Sequence, residues 1–188
     1  SEHDVLSRFY EAAKFHNATT LLRITADCPL VDPDLIDSLI EEYFNSGSDY
    51  ATNTLPPTYP DGLDVEVFSF QSLERAYQEA VAPNEREHVT PYIRYSGKFK
   101  IHNTVNKIDY SDRRWTVDEV DDFEVVSHIF QYFHPDIYFD WNKIIEVEKP
   151  ITKNTRKLHD GFYGKTVPFE NSNRYSVYDV TPYEETLL

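Results

Sequence analysis

An α/β domain around a mostly parallel sheet is the fold class this sequence predicts, on three observations. The first is a strand–turn–helix unit near the start. The apolar run Leu21-Leu22-Arg23-Ile24 reads as a short buried strand, residues 25–32 as a turn, and Leu35, Ile36, Leu39, Ile40, Tyr43 and Phe44 as a helical stripe. The second is that short strand-like runs and 3.6-period stripes keep alternating down the chain, the order that builds α/β layers. The third is bulk: 188 residues, 40% hydrophobic with 12 Phe and 14 Tyr, suffice for one packed core and are too few for two full domains.

The elements follow in order. Residues 3–16 carry Val5, Leu6, Phe9, Ala12 and Ala13 at helical spacing. Residues 20–25 form the strand just described, expected to lie inside the sheet. Asp32 then stands as N-cap with Pro33 at the first helical position, and that helix should stop near Asn45-Ser46-Gly47. Residues 49–53 are a short strand, ended by Leu55-Pro56-Pro57-Thr58-Tyr59-Pro60, a stiff loop suited to a binding rim. Residues 64–70 alternate as a strand, with Val65 and Val67 on one face and Asp64, Glu66 and Phe68 on the other. Acids sharing a face with a phenylalanine suit a pocket wall. Ser69 or Ser72 caps a helix to about Val81, and Asn84 begins another that runs through Arg86 to Arg94. Residues 99–105 and 113–117 read as strands, with an Asn/Asp/Ser-rich connection that suits a hairpin. From Asp118 a helix is expected with Phe123, Val126, Ile129, Phe130 and Phe133 as its stripe, acids in its first turns and a stop at His134-Pro135. Residues 140–147 form a short helix. The domain therefore spans 1–149, and 150–188, without periodicity, is expected to be an extended arm packed on this or a partner subunit.

Composition excludes several functions. The net charge is −15, which argues against a nucleic-acid or anionic-membrane surface, since those require basic patches. The single cysteine, Cys28, rules out an intrachain disulfide framework and a thiolate zinc cluster, and reads as a small buried thiol rather than a nucleophile. No long apolar run or secretory leader is visible, so a soluble, cytoplasmic protein is expected.

Two carboxylates occupy positions that chemistry favours. Asp27 follows a strand, on a turn stiffened by Pro29, and ligands of open α/β sheets bind at such strand ends. It either caps the turn or holds a hard cation such as Mg²⁺ against a nucleotide phosphate. Asp118 also follows a strand-like run, and either caps the next helix or joins Asp27 at the same edge. Trp115 is assigned to the core rather than to a stacking platform, and the histidines outside the Arg86–Thr90 segment show no metal spacing.

Five segments, in order, resemble one family. They are Asp4-Val5-Leu6-Ser7-Arg8-Phe9-Tyr10, Thr25-Ala26-Asp27-Cys28-Pro29-Leu30-Val31-Asp32, Asp61-Gly62-Leu63-Asp64-Val65-Glu66-Val67-Phe68, Arg86-Glu87-His88-Val89-Thr90-Pro91-Tyr92, and Arg114-Trp115-Thr116-Val117-Asp118 followed by Asp121-Asp122-Phe123-Glu124. Together they resemble the cytidylyltransferase-like proteins of spore coat polysaccharide biosynthesis, relatives of the enzymes that make CMP-Kdo and CMP-sialic acid. The resemblance implies a GT-A-like sandwich, Mg²⁺ as cofactor, a homo-oligomer, and nucleotidyl transfer from CTP or another nucleotide onto a sugar or sugar acid for surface polysaccharide. It implies metal-holding and catalytic roles for Asp27 and Asp118, whose carboxylates should then lie within about 6 Å of each other. It also places Asp61, Asp64, Glu66, Arg86, His88 and Thr90 in the sugar pocket, the acids on hydroxyls and Arg86 on a carboxylate or phosphate. An i,i+4 surface salt-bridge pattern is the other reading of Arg86.

One departure stands out. The family begins with a strand and a glycine-rich loop bearing Arg and Lys that cradles the triphosphate. Here Gly47, Gly62, Gly97, Gly161 and Gly164 form no such loop, and the chain has no methionine. The expectation is a fold lacking its first βαβ portion, the later part of a longer protein, with catalysis by this chain alone in doubt. Two other functions compete: a non-catalytic sugar-binding or assembly module, and a GT-A glycosyltransferase. The second is disfavoured because Asp27 is followed by Cys-Pro-Leu-Val-Asp rather than by an Asp-x-Asp pattern.

Overall fold

Residues 4–147 are described by the computed structural model, so the arm expected over 150–188 lies outside the described residues. The elements are α1 (Val5–Phe15), β1 (Thr20–Arg23), α2 (Pro33–Ser46), β2 (Tyr50–Thr52), β3 (Glu66–Ser69), α3 (Phe70–Glu79), α4 (Pro83–His88), α5 (Pro91–Tyr95), β4 (Ile101–Asn103), α6 (Val120–Phe133) and α7 (Trp141–Val147). The helix starts obey local rules. Asp4 caps α1 through Ser7 N, Ser69 caps α3 through Ser72 N, and Asp32 caps α2 through the amides of Asp34 and Leu35. Gly47, at φ 58°, supplies the left-handed residue that ends α2.

The four strands are ordered β1-β3-β2-β4. β3 is antiparallel to both neighbours, with Val67 opposite Leu22 and Ala51, while β2 and β4 are parallel. The expected mostly parallel sheet is therefore corrected to a mixed one. The reason lies in the connections. α2 carries the chain from β1 to β2 as a crossover, but the segment between β2 and β3 contains no helix, and without a crossover the chain can return only antiparallel. β3 inserts between β1 and β2. β1 becomes a terminal strand instead of an interior one, with no strand on its outer edge among the described residues.

Helices cover both faces. Leu6, Tyr10, Leu73, Ala76 and Ile93, from α1, α3 and α5, pack on Tyr50 and Phe68. Leu39 and Tyr43 of α2 pack on Ala51, Val65 and Val67 from the other side. A third cluster, Leu30, Leu35, Leu63, Trp115, Val125, Val126, Ile129, Trp141 and Ile144, extends the core past the end of the strands and roots α6 and α7 there. Full burial of each large side chain stabilises by about 1.5–3 kcal/mol before entropy is counted.

Three further local expectations are corrected. The helix expected through Arg86 to Arg94 is two helices, because Pro91 cannot donate to it and Val89 takes φ 72°, ψ −54°. Residues 113–117 form no strand and no hairpin with β4; a single parallel bridge joins Asp61 to Arg114. In α6 the buried face is Asp122, Val125, Val126 and Ile129, while Phe123 is 62% exposed, so the stripe is rotated from the one expected.

Candidate functional site

The sheet has one edge where ligands bind in α/β proteins. Arg23, Thr52 and Asn103, the last residues of β1, β2 and β4, line up there with Glu66, the first residue of β3. The turn that follows β1 is built by its own side chains. Cys28 N donates to Thr25 O at 3.2 Å, Val31 N to Cys28 O at 3.3 Å, and the Thr25 hydroxyl lies 3.1 Å from the Cys28 sulfur. Asp27 at its apex is partly exposed. Its carbonyl accepts from Val117 N at 2.8 Å and from the Thr116 hydroxyl at 3.1 Å, which brings the segment ending in Asp118 onto the same turn.

The Asp61-Gly62-Leu63-Asp64 stretch joins from the other side. Asp61 N donates to Arg113 O at 2.9 Å and Trp115 N to Asp61 O at 2.6 Å. Gly62, at φ 109°, lets this close approach happen: a Cβ there would stand 2.6 Å from the Trp115 carbonyl carbon and 2.7 Å from Thr116 N. Arg114 then clamps the junction. Its guanidinium pairs with Asp61 at 2.9 Å, with Asp122 at 3.3 Å, and with Asp118 in a short contact. Burial disfavours the charge, but Asp122, Asp61 and Asp118 outweigh it and hold Arg114 more firmly protonated than usual. Asp122 also accepts from the amides of Asp118 and Glu119 at 3.0 Å each. Glu119, not Asp118, is therefore the N-cap residue of α6, and the capping reading of Asp118 is corrected.

Cys28 reports the field of this edge. Its thiol is pushed up to about 12, first by burial and then by the charges of Asp64, Asp27 and Asp61, as expected for a small buried thiol rather than a nucleophile. Asp27, Asp61, Asp64 and Asp118 thus gather around one strand end, while Trp115 is fully buried beneath them. Among the described residues no set of three or more His, Cys, Asp or Glu side chains could close around a metal ion.

The other predicted residues do not join this group of aspartates, although Glu66 stands at the same edge. Glu66 is 1% exposed and accepts from the Tyr50 hydroxyl at 2.5 Å and the Thr90 hydroxyl at 2.6 Å, and it pairs closely with Arg23. Rather than facing a pocket with Asp64, it belongs to the interior. Arg86 donates to Asp4 at 2.8 Å, to the Ser7 hydroxyl at 3.0 Å and to the Tyr77 carbonyl at 2.9 Å, tying α4 to α1 and α3. Arg86 and Thr90 do not share a helix face, because the chain makes a γ-turn at Val89 in which Thr90 N bonds His88 O at 2.8 Å. His88 is half-buried beside that turn. Sequence reasoning assigned nothing to Arg114, Asp122 or Arg23. Arg114 stands four and eight residues before Asp118 and Asp122, but the chain is not helical before Val120, so that spacing carried no signal for the pairing.

Residues 1–153 match the sequence profile of a family described as cytidylyltransferase. The chain is 37% identical over 137 residues to an uncharacterized protein of Methanocaldococcus jannaschii, covering 71% of this chain and 55% of that one. It is 30% identical over 140 residues to the spore coat polysaccharide biosynthesis protein SpsF of Bacillus subtilis, covering 70% and 55%. It thus spans about half the length of these curated relatives. A cytidylyltransferase structure from Leptospira borgpetersenii is similar with a TM-score of 0.73 at 33% identity, over 77% of this chain and 62% of that one. Given that match over most of the sequence, and the meeting of the Asp27, Asp61 and Asp118 segments at one sheet edge, the chain belongs to the cytidylyltransferase family.

Proposed function

We propose that this chain serves nucleotidyl transfer from CTP to a sugar or sugar acid destined for a surface polysaccharide, on a GT-A-like fold. One observation supports this above the rest: Asp27, Asp61, Asp64 and Asp118 gather at a strand end from three separated segments. In such a transfer an acceptor oxygen attacks the α-phosphorus, the bond to the bridging oxygen breaks, and pyrophosphate leaves. Asp61 and Asp64 suit acceptor hydroxyls. Asp27 and Asp118 suit Mg²⁺, which is ordinarily held by one or two carboxylates with phosphate oxygens and waters rather than by an all-protein cage. The ion would supply neutralisation of the phosphate charge. Glu66, Arg86 and Thr90 support this function by holding the scaffold.

The test is product formation by the protein with Mg²⁺, CTP and a panel of sugars and sugar acids, following pyrophosphate and a CMP-linked product together. Release of both in equal amounts is the expected result. Nucleotide consumption without any CMP-linked product would overturn the transfer reading. Calorimetry on the 188-residue chain addresses the absence of a glycine-rich loop from its sequence. CTP should bind it more weakly than micromolar, because carboxylates and a metal cannot replace a cradle of backbone N–H groups. Micromolar affinity would show the triphosphate site to be complete without that loop.

A further inference from the structure

We propose that Arg23 is the anchor of an oxyanion site at the sheet edge, one that takes a carboxylate or phosphate group and is held ready by Glu66. The proposal rests on the nucleotidyl-transfer reading only for which anion is the natural ligand.

Arg23 is the last residue of β1, four positions before Asp27. Its side chain is 11% exposed, and among the described residues a single guanidinium nitrogen, Nη1, makes its one contact, with Glu66 Oε2. The other N–H donors of the fork stay available to a ligand. Glu66 does not need all of Arg23 to be satisfied, because its other oxygen already accepts from Tyr50 and Thr90. Burial raises the Glu66 carboxyl, and the charges of Arg23 and Arg94 overcome that and leave it below the usual range. Two guanidinium groups therefore act on one buried carboxylate. Arg94 is 8% exposed and donates from Nη2 to the Thr54 hydroxyl at 3.0 Å, on the loop leaving the same edge.

The placement favours a ligand. The edge carries acids around Asp27 and the Arg23 guanidinium four residues before it, so a molecule with hydroxyls at one end and an anionic group at the other matches both halves. Arg23 Nε and Nη2 are not sealed from solvent, so an anion can approach them. A planar fork pinned at one corner by a carboxylate loses little freedom when it receives an anion with its remaining donors.

The test follows the Arg23 Nε–H resonance of the protein during titration with inorganic phosphate, with glucuronate, and with glucose as the neutral control. A saturable shift with either anion and none with glucose is expected. A larger response to phosphate assigns the site to the nucleotide, and a larger one to glucuronate assigns it to a sugar acid. For the variants, anion binding is followed by calorimetry and folding by circular dichroism. Arg23→Lys keeps a cation beside Glu66 and removes the fork, so it should weaken the anion at least tenfold. The double variant Arg23→Gln with Glu66→Gln removes both partners of the pair and should abolish anion binding while the protein stays folded. No Arg23 response to either anion across the millimolar range, or equal responses to the anions and glucose, overturns the site. Neither result depends on turnover, so failure of the transfer reading would be seen separately.

Discussion

Asp27 and Cys28 are sequence neighbours with opposite fates. The carboxylate is partly exposed and, among the described residues, its side chain bonds only the Cys28 sulfur at 3.8 Å, whereas the thiol is buried. Asp27→Asn should therefore leave thermal stability within about 0.5 kcal/mol, since the carbonyl that binds residues 116 and 117 is untouched. If Asp27 holds the metal, turnover of the catalytically competent protein should fall at least about 100-fold, checked by kcat against melting temperature. A thiol pushed up to about 12 stays protonated at neutral pH, so Cys28 should resist iodoacetamide in the native state and react when the chain is unfolded in urea. Mass spectrometry of the adduct reads both conditions. Gly62→Ala should cost about 2 kcal/mol or more, because its Cβ meets backbone at 2.6 Å and φ is 109°. A melting temperature unchanged by that substitution would contradict the close approach on which the site depends.

Among the elements, α2 and α7 are joined through one carboxylate. Asp32 Oδ1 accepts from Asp34 and Leu35, and Oδ2 accepts from the amide of Trp141 at 3.1 Å. Sequence predicted the cap from Asp32-Pro33. It carried no signal for the second bond, whose partner lies 109 residues on. Asp32→Ala should lose the cap and orphan a buried amide, about 2–4 kcal/mol together, more than an ordinary cap substitution. Chemical denaturation measures it, and a loss under 1 kcal/mol would show that α7 is not fastened there. The α4–α5 break teaches a related lesson. Pro91 was visible, but the γ-turn at Val89 was not, because a β-branched residue avoids positive φ unless the surroundings impose it. Here Val89 is fully buried and the Thr90 hydroxyl is bonded to Glu66, contacts that only the packed structure offers.

For the whole molecule, acid should be the destabilising direction. Asp4 is lowered from 3.8 to about 2, chiefly by its bond to Arg86, and Glu66 lies below its usual 4.5 because Arg23 and Arg94 outweigh its burial. Groups with depressed folded values contribute stability above their unfolded values and lose it as pH falls through the folded ones. The melting temperature should therefore be level above about pH 5 and fall from about 4.5 toward 2. Glu66→Gln should flatten part of that fall. The bare edge of β1, beside a groove of about 570 Å³ lined by Val5, Phe9, Ala12, Leu21 and Leu22, leaves ladder groups and apolar surface uncovered by any described residue. Self-association of the isolated chain is expected in sedimentation, strengthening with salt as repulsion between copies at −15 is screened. A monodisperse monomer at all concentrations would count against it. No helix of the described residues is long and apolar enough to cross a membrane.

Local chemistry made much of this protein legible in its sequence. Capping at Asp32, the left-handed stop at Gly47, the stop at His134 and the burial of Trp115 and Cys28 each depend on a residue and its near neighbours. The same holds for the family segments, which are contiguous strings. Tertiary structure alone decided the strand order, because a helix-free return and a crossover differ in where the chain goes rather than in any local pattern. It also sorted the acids. Glu66 became a buried ion-pair partner while Asp64, two residues earlier, stayed partly exposed near Asp27. The sorting followed from which cations, Arg23, Arg94 and Arg114, the fold brought within reach. A carboxylate's role is set by partners far away in sequence, and those partners exist only once the sheet edge is assembled.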